Sequence, residues 1–318
     1  MNLANYKIGV LYGGESNERE VSLKSGDAVY EAIKKEGLNV SKIDVHRDIM
    51  KVLEEEKIEL AFLALHGGWG EDGTIQAICK LIGIPYTGPD ILGSALALDK
   101  VVTKKILESE GIPTPPYMVI SKKDADNKEY FESFIQQIKN KLGLPVILKP
   151  ALEGSSVGLK VVRETEILQK SIEKCLHYGK VLLIEKYLTV TEVTVGILGF
   201  EDDLEVLPVV EIIPKSGIYD FKSKYTPGAT EYIIPARLPK EIYKEVQEVA
   251  LRTFKILNLE IISRIDVLIE ENKNIYVTEV NTSPGMTSTS LYPKAALSAG
   301  YEFSKLIIRI LEAALKRE

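Results

Sequence analysis

The stretch SRIDVLIEENKNIYVTEVN (residues 263–281) has the pattern of a β-hairpin, in which two apolar-rich runs flank the polar turn ENKN. A two- or four-residue loop centred on that turn places Asp266 opposite Glu279 and Arg264 opposite Asn281. Side chains two apart on a strand share a face, so the hairpin predicts one polar patch built from these four residues.

The composition of this patch indicates a cation site. Two carboxylates opposed across a strand pair repel each other, and a divalent cation between Asp266 and Glu279 would remove that penalty. Asn281 adds a neutral oxygen, and an all-oxygen set suits Mg²⁺ whose coordination is completed by phosphate oxygens. Arg264 beside such an ion suits a phosphoryl group. The alternative is an ordinary exposed hairpin face whose acids are neutralised by nearby lysines.

The composition of the whole chain is typical of a globular protein with a large core. The chain has 318 residues, of which 45% are hydrophobic and 27% are charged, and this length predicts two or three domains. A formal net charge of −6 argues against nucleic-acid binding. The separated Cys79 and Cys175 predict buried thiols in a reducing compartment. No signal peptide or membrane-spanning run is evident, so we expect a cytoplasmic protein without membrane contact.

The first third of the chain alternates strand and helix patterns. Apolar runs at 7–12, 38–45 and 59–68 are strand-like, and helical spacing covers 21–35 and 74–82. This alternation predicts a parallel sheet covered by helices. Ligands bind at the carboxyl ends of such strands, and glycines follow the first and third runs.

The rest of the chain is less regular. Asp99 is expected to cap a helix running to Glu110, before a proline-rich boundary region at 112–116. Residues 214–230 show no periodicity, and a loop of this length inside a compact domain is usually functional or disordered. The remaining patterns predict strands at 145–150, 159–162 and 181–188, two β-rich runs within 191–213, and helices at 164–176, at 239–256 and from about 301.

Two further segments have the character of nucleotide-binding pieces. In ILKPALEGSSVGLKVV (147–162) a strand ending near Lys149 leads into a glycine-serine loop, whose backbone N–H groups could surround a phosphate. The alternative is a plain hairpin loop. In LIEKYLTVTEV (183–193), Glu185 and Glu192 beside free strand groups could bind an adenine edge and ribose hydroxyls, or they could belong to a solvated strand end.

A set of motifs in a fixed order resembles the D-alanine–D-alanine ligase family of ATP-grasp enzymes, which act in bacterial peptidoglycan synthesis. The resemblance runs from about residue 6 to residue 310. The motifs that carry it are GGESNEREVSL (13–23), ALHGGWGEDGT (64–74), YTGPDILGSALALDK (86–100), ILKPALEGSSVG (147–158), LIEKYL (183–188), YDFKSKY (219–225), SRIDV (263–267) and VTEVNTSPGMTSTSL (277–291).

The resemblance implies an α/β fold with three-domain ATP-grasp architecture. An N-terminal Rossmann-like parallel sheet (1–98) would bind substrate, and two α+β ATP-grasp domains (99–188 and 189–318) would hold ATP between them, with a mobile loop at 214–230. It also implies two Mg²⁺ ions, with Mn²⁺ as a substitute, and a homodimer. The implied magnesium ligands are Asp266, Glu279 and Asn281, and the implied ATP-binding residues are Lys100, Lys149, Glu185, Lys186, Leu188, Glu192 and Lys224.

The family reaction joins two D-alanines through an acylphosphate and a tetrahedral intermediate, with release of ADP and phosphate. The resemblance implies that Glu18 binds the first ammonium group and that Ser290 holds the second carboxylate. It further implies an oxyanion hole at Arg264 and the Gly285 N–H, and a secondary role for His66. Ser155 and Tyr225 would tie Glu18 to the mobile loop, and Tyr225 would favour D-alanine over D-lactate.

One sequence feature weakens a part of this carry-over, and two other functions compete with it. The segment before Glu192 lacks the arginine that often precedes the matching glutamate, so the ribose contact is less certain. Another ATP-grasp carboxylate–amine ligase would share the ATP and metal residues, but it would not require Glu18, Tyr225 and Ser290 together. A non-catalytic nucleotide-binding module would tolerate the loss of Arg264 or of a metal ligand, and none is lost.

Overall fold

The computed structural model describes residues 2–154, 157–217, 219–220, 223–224, 226, 228–271 and 274–317. Within these residues the strands form a three-stranded, a four-stranded and a six-stranded sheet. No helix in the same ranges is both long and apolar enough to span a membrane. Cys79 and Cys175 are buried and unpaired, as their apolar helical contexts predict.

The N-terminal sheet is parallel in the order β2-β1-β3, which confirms the strand–helix alternation expected from the sequence. Gly13 ends β1 and Gly14 follows it, with φ of 76° and 77°, so the chain turns away at the carboxyl end of the sheet. Its elements are β1 (Ile8–Gly13), α1 (Arg19–Lys35), β2 (Val40–Val45), α2 (Ile49–Glu55), β3 (Leu60–Leu63), a 3₁₀ turn (Gly68–Gly70), α3 (Thr74–Leu81) and α4 (Ile91–Leu98).

The central sheet is antiparallel in the order β4-β7-β5-β6. Asp99 caps the helix before this sheet, as expected, since its carboxylate accepts hydrogen bonds from the Val101 and Val102 N–H groups. Residues 117–141, where the sequence indicated no element, form one strand and two helices. The elements are α5 (Lys100–Ser109), β4 (Tyr117–Ser121), α6 (Lys122–Ala125), α7 (Lys128–Lys141), β5 (Val146–Pro150), β6 (Lys160–Val162), α8 (Thr165–Cys175) and β7 (Val181–Lys186).

The third sheet has the order β11-β10-β8-β12-β13, with β9 paired to β8. The region predicted as a long loop, 214–230, lies between β10 and β11. Residues 218, 221, 222, 225 and 227 of it lie outside the described residues. The elements are β8 (Val190–Gly199), β9 (Glu205–Val206), β10 (Val210–Pro214), β11 (Thr230–Ile233), α9 (Lys240–Ile256), β12 (Ile261–Glu270), β13 (Ile275–Asn281), α10 (Leu291–Ser298) and α11 (Phe303–Lys316).

The hairpin of β12 and β13 has the predicted pairs at its far end, Asp266 with Glu279 and Arg264 with Asn281. Nearer the turn the register differs by one residue from the prediction, since Ile269 pairs with Ile275. A β-bulge at Thr278 absorbs the difference, because Val267 pairs with Val277 while Asp266 pairs with Glu279. The predicted two- or four-residue loop was therefore wrong, and the predicted pairs at the polar patch are restored by the bulge.

The C-terminal helix α11 joins two sheets into one core. Its buried Ile307, Ile310 and Leu311 belong to the same apolar cluster as Phe62 of β3 and Ile261 of β12. Burial of apolar surface is the main favourable contribution to folding, so this cluster holds the parallel sheet against the six-stranded one. The central sheet has a largely separate core formed with α7 and α8.

Candidate active site

Two neighbouring cavities lie where the three sheets meet. One, of about 300 Å³, is lined by residues of the β1, β3 and β13 loops, including Glu18 and Ser290. The other, of about 140 Å³, lies between the central and six-stranded sheets and is lined by Lys149, Glu185 and Leu188 among others. Lys100, Tyr219, Lys224 and Glu279 line both cavities. The predicted polar patch therefore lies at the junction of two binding spaces.

Arg264 and Asp266 form a bidentate ion pair on one strand face. The Nε and Nη2 groups of Arg264 each lie 2.9 Å from an Asp266 oxygen. Thr194 donates to Oδ1 of the same carboxylate at 2.5 Å, and the Asn281 amide donates to Oδ2 at 3.2 Å. Asp266 is 5% exposed. The patch is thus a half-enclosed charge network and not the exposed hairpin face that was the alternative.

Glu279 is surrounded by cations. Lys100 Nζ lies 3.2 Å from its Oε1 and also donates to the Glu153 carbonyl at 2.8 Å. Burial opposes ionisation of Glu279, but Lys100, Lys224 and other cations outweigh it and lower the pKa to about 2. The repulsion expected between the opposed carboxylates is therefore offset within the protein itself, by Lys100 on one side and Arg264 on the other.

Glu185 lines the smaller cavity and has a lysine at each carboxylate oxygen. Lys104 Nζ lies 2.6 Å from Oε1, and Lys149 pairs with Oε2. Burial opposes ionisation, yet the two lysines hold the pKa of Glu185 below its ordinary value. The strand pairing of β5 with β7 brings Lys149 and Glu185 together. This carboxylate is therefore ionised inside the protein.

Glu192 lies on the same cleft in a different electrostatic environment. Burial and the nearby Asp266 raise its pKa to about 7, while Lys224 and Lys149 act in the opposite direction. A carboxyl group that changes charge near neutral pH is characteristic of ligand sites, where a hydroxyl or cation completes its environment.

Glu18 precedes α1 and its carboxylate fits closely against two glycines. A Cβ atom on Gly154 would lie 2.5 Å from Glu18 Oε2, and one on Gly67 would lie 2.9 Å from it. Any larger residue at either position would displace this carboxylate, so the loops after β3 and β5 are shaped around it. Glu71 is close by, and burial together with repulsion from Glu18 raises its pKa to about 8.

The hydroxyl-rich loop after β13 lines the larger cavity. The Thr287 N–H donates to Ser290 Oγ at 3.2 Å, and the two hydroxyl groups lie 2.8 Å apart. A Cβ atom on Gly285 would lie 2.8 Å from Ser290 Oγ, so a larger residue there would displace this hydroxyl. Ser290 also precedes α10 as its N-cap residue. Hydroxyl groups at a helix start suit a substrate carboxylate.

His66 connects the larger cavity to the N-terminal sheet. Its Nε2 lies 3.0 Å from Ser25 Oγ on α1, which accepts from the Met286 N–H at 3.2 Å. The ring is 6% exposed, and burial lowers its pKa to about 4 despite a hydrogen bond with the Ser283 backbone. A neutral imidazole therefore fixes the loop that carries Gly285 against α1.

The remaining predicted residues lie along the smaller cavity, with two exceptions. Lys186, Leu188 and Lys224 line the cleft, and Lys224 stacks over the Tyr219 ring at 5.1 Å from its centroid. Ser155 and Tyr225, which the family resemblance connects to Glu18, lie outside the described residues.

Sequence reasoning missed several residues that line or support these cavities. Glu71 stands in the quoted motif HGGWGEDG, and Tyr219 begins YDFKSKY, but neither was assigned a role. Lys104 is 1% exposed and directly pairs with Glu185. Its position on the inner face of an amphipathic helix was visible in the sequence, but only the fold shows which acid it meets.

Family models match most of the chain. The model for the C-terminus of D-ala D-ala ligase matches residues 106–312. The model for the N-terminus of the same ligase matches residues 7–51 and 46–89.

Individual ligases and solved structures show the same similarity. The D-alanine–D-alanine ligase of Pelotomaculum thermopropionicum is 45% identical over 98% of this chain and 97% of its own length. That of Carboxydothermus hydrogenoformans is 47% identical over 98% of each chain. The Bacillus anthracis ligase complexed with ATP has a TM-score of 0.82 at 32% identity over 98% of each chain. The VanG D-Ala:D-Ser ligase of Enterococcus faecalis has the same TM-score and identity, over 97% of this chain and 99% of its own. The chain belongs to the D-alanine–D-alanine ligase family.

Proposed function

We propose that this protein joins two D-alanines to D-alanyl-D-alanine at the expense of ATP, releasing ADP and phosphate, for peptidoglycan synthesis. The observation that carries the proposal is the meeting of two cavities at Lys100, Lys224 and Glu279. One cavity has the charges that a nucleotide triphosphate needs, and the other has a carboxylate and hydroxyl groups suited to amino acids. Relatives of this family at 45% and 47% identity carry the same named activity.

The proposed reaction has two steps. A carboxylate oxygen of the first D-alanine attacks the γ-phosphorus of ATP, and ADP leaves. The amine of the second D-alanine then attacks the acyl carbon of the resulting acylphosphate and loses a proton. The tetrahedral intermediate collapses as phosphate departs with its electron pair. Both steps bring anions together, so the clustered Lys100, Lys149 and Arg264 support this chemistry by offsetting the repulsion.

The amino-acid cavity suggests how the two substrates are oriented. Glu18 would bind the ammonium of the first D-alanine, and Ser290 would hold the carboxylate of the second. Arg264 and the Gly285 N–H would stabilise the oxyanion of the tetrahedral intermediate. Placing the amine next to the acylphosphate contributes to rate by orientation alone. His66 supports the Gly285 loop and would act as a positioning residue.

The polar patch fits Mg²⁺ in ligand chemistry. Asp266, Glu279 and Asn281 offer two carboxylates and an amide oxygen on one face of the hairpin. In the described ranges, no group of three or more His, Cys, Asp or Glu side chains could hold a metal ion without other ligands. A site with few protein ligands is what Mg²⁺ uses when phosphate oxygens complete its shell. Bound Mg²⁺, or Mn²⁺ in its place, would polarise the phosphoryl group and offset its charge.

The organisation around the site completes the proposal. The boundaries 1–98, 99–188 and 189–318 would separate a substrate domain from two ATP-grasp domains. The segment 214–230 would close over ATP and exclude water from the acylphosphate, with Ser155 and Tyr225 linking it to Glu18. We further propose a cytoplasmic homodimer.

The test is ATP-dependent phosphate release with Mg²⁺ across a set of amino and hydroxy acids. D-Alanine alone is expected to support release together with dipeptide, detected by mass spectrometry, whereas L-alanine is not. D-Lactate or D-serine added with D-alanine is expected to be the poorer second substrate. Release that requires another acid or amine would reassign the substrate to a different carboxylate–amine ligase. Nucleotide binding without release under any condition would favour a non-catalytic module.

A further inference from the structure

The two lysines on Glu185 differ in what surrounds them. Lys104 is 1% exposed and Glu185 is 2% exposed, so their contact is sealed inside the protein. Lys149 is 16% exposed and lines the nucleotide cavity. One carboxylate therefore has an internal cation on one oxygen and a cleft-facing cation on the other.

Lys104 is held in place on every side. Its Nζ donates to Thr114 Oγ1 at 2.5 Å as well as to Glu185, and lies 4.8 Å from the centroid of the Tyr117 ring. The Thr114 hydroxyl in turn donates to the Val277 carbonyl on β13 at 2.9 Å. These contacts use the donors of the ammonium group, so Lys104 has no freedom to turn toward the cleft.

Lys149 is held less firmly. Besides Glu185 it donates only to Thr278 Oγ1 within the described residues, at 3.2 Å, and that threonine is the bulged residue of β13. A phosphate entering the cavity would attract this ammonium away from Glu185. The carboxylate would then lose one of its two cations while still buried, which is strongly unfavourable unless the other remains.

We propose that Lys104 is the permanent counter-ion of Glu185, a positioning residue that leaves Lys149 free to transfer to the phosphates of a bound nucleotide. The inference rests on the proposed use of ATP and adds to it a residue with no contact to the nucleotide. Removal of Lys104 should therefore weaken the binding of ligands that carry phosphates and leave the affinity for ligands without phosphates nearly unchanged.

The test compares ATP with adenosine, each titrated calorimetrically in the presence of Mg²⁺. In Lys104→Met, Lys149 becomes the only cation that contacts Glu185, so its ammonium group should remain there and not move to the phosphates of ATP. We expect ATP affinity to fall about tenfold or more, and adenosine affinity to change by less than about threefold, because adenosine has no phosphate to draw Lys149 away. The matched control is Lys105→Met, which removes an exposed lysine from the same helix and should change neither affinity.

A double variant tests the electrostatic cause. In Glu185→Gln the buried group is neutral, so adding Lys104→Met should leave the ratio of ATP to adenosine affinity unchanged. If Lys104→Met alone does not fold, Lys104→Gln removes the charge while its amide can still donate to Glu185. That variant should weaken ATP relative to adenosine in the same direction.

Equal losses for ATP and adenosine would overturn the inference, since they would indicate a purely structural role for Lys104. Unchanged ATP affinity in Lys104→Met would overturn it as well. A wild-type protein that binds neither ligand would contradict the ATP chemistry itself, and the inference with it.

Discussion

Glu279 illustrates how single residues in this site depend on their neighbours. Its carboxylate lies opposite Asp266, yet it is ionised because Lys100 and other cations surround it. The same cations would otherwise repel one another, so the acids and bases of the patch hold each other in place before any ligand arrives. Such preorganised charge is the largest single source of catalysis in many enzymes.

Replacement of Glu279 by Gln is therefore expected to abolish most activity while preserving the fold. The change keeps the shape of the side chain but removes a proposed metal ligand and the partner of Lys100. Phosphate release with D-alanine should fall by about 100-fold or more, with an unchanged circular dichroism spectrum. Glu271→Gln, at an exposed position in the turn of the same hairpin, is the matched control. Near-normal turnover in Glu279→Gln would remove the hairpin from the mechanism.

The buried ring of His66 makes stability depend on pH. Burial lowers its pKa from 6.5 to about 4, so the folded protein binds fewer protons than the unfolded chain between those values. The neutral ring makes its full contribution to the free energy of unfolding above about pH 6.5. That contribution is lost as the pH falls toward 4, and the loss amounts to at most about 3 kcal/mol.

The variant His66→Gln should flatten that pH dependence. We expect the difference in free energy of unfolding between pH 7 and pH 4.5 to shrink relative to wild type, measured by urea unfolding at each pH. His177→Gln, at an exposed histidine, should retain the wild-type slope. An unchanged slope in His66→Gln would show that the ring is not the titrating group.

At the scale of elements, the bulge in β13 and the start of α5 position the charged groups. The bulge places Thr278 and Glu279, which are adjacent in sequence, at the edge of the same cavity, where Lys149 and Lys100 meet them. Helix α5 begins at Lys100, so the direction of its first turn decides where that lysine enters the cleft.

Loss of the α5 cap should therefore cost stability. Asp99 accepts from two N–H groups of the first turn, and Asp99→Ala is expected to lower the free energy of unfolding by about 1 kcal/mol. Thermal or urea unfolding measures the change. Asp99→Asn retains an acceptor oxygen and should recover most of the loss. Equal stability of Asp99→Ala and wild type would show that the cap contributes nothing.

At the scale of the whole molecule, α11 connects the parallel sheet to the six-stranded sheet. Leu311 is fully buried in a cluster that includes Phe62 and Ile261. Since Glu18 and His66 come from the N-terminal part and Arg264 from the C-terminal part, the larger cavity exists only while this shared core is intact.

Truncation of Leu311 to Ala is expected to destabilise both sheets together, by about 2–5 kcal/mol. Hydrogen exchange followed by mass spectrometry should show lower protection in β1 and in β12. Glu312→Ala, on the exposed face of the same helix, is the control. Loss of protection in only one sheet would show that the two unfold independently.

Local patterns in the sequence determined much of this protein. Period-two and helical spacings were enough to predict the strand–helix alternation of the parallel sheet and the Asp99 cap, because these depend on residues close in the chain. The predicted facing of Asp266 with Glu279 rested on a loop length that was wrong, and the pair forms because of the bulge at Thr278. The helix at 128–141 and the strand before it were not predicted, because none of the motifs used to interpret the sequence lies in residues 117–141.

Tertiary structure alone decided which distant charges meet. The pairing of Lys104 with Glu185, the contact of Lys100 with Glu279 and the neutral His66 all join segments far apart in the chain. The bulge at Thr278 likewise depends on how β13 meets its neighbour strand. These interactions depend on burial and on packing between segments that are distant in the sequence. They are strong because the protein interior has a low dielectric constant, and the order of residues in the chain does not show which groups will be buried there.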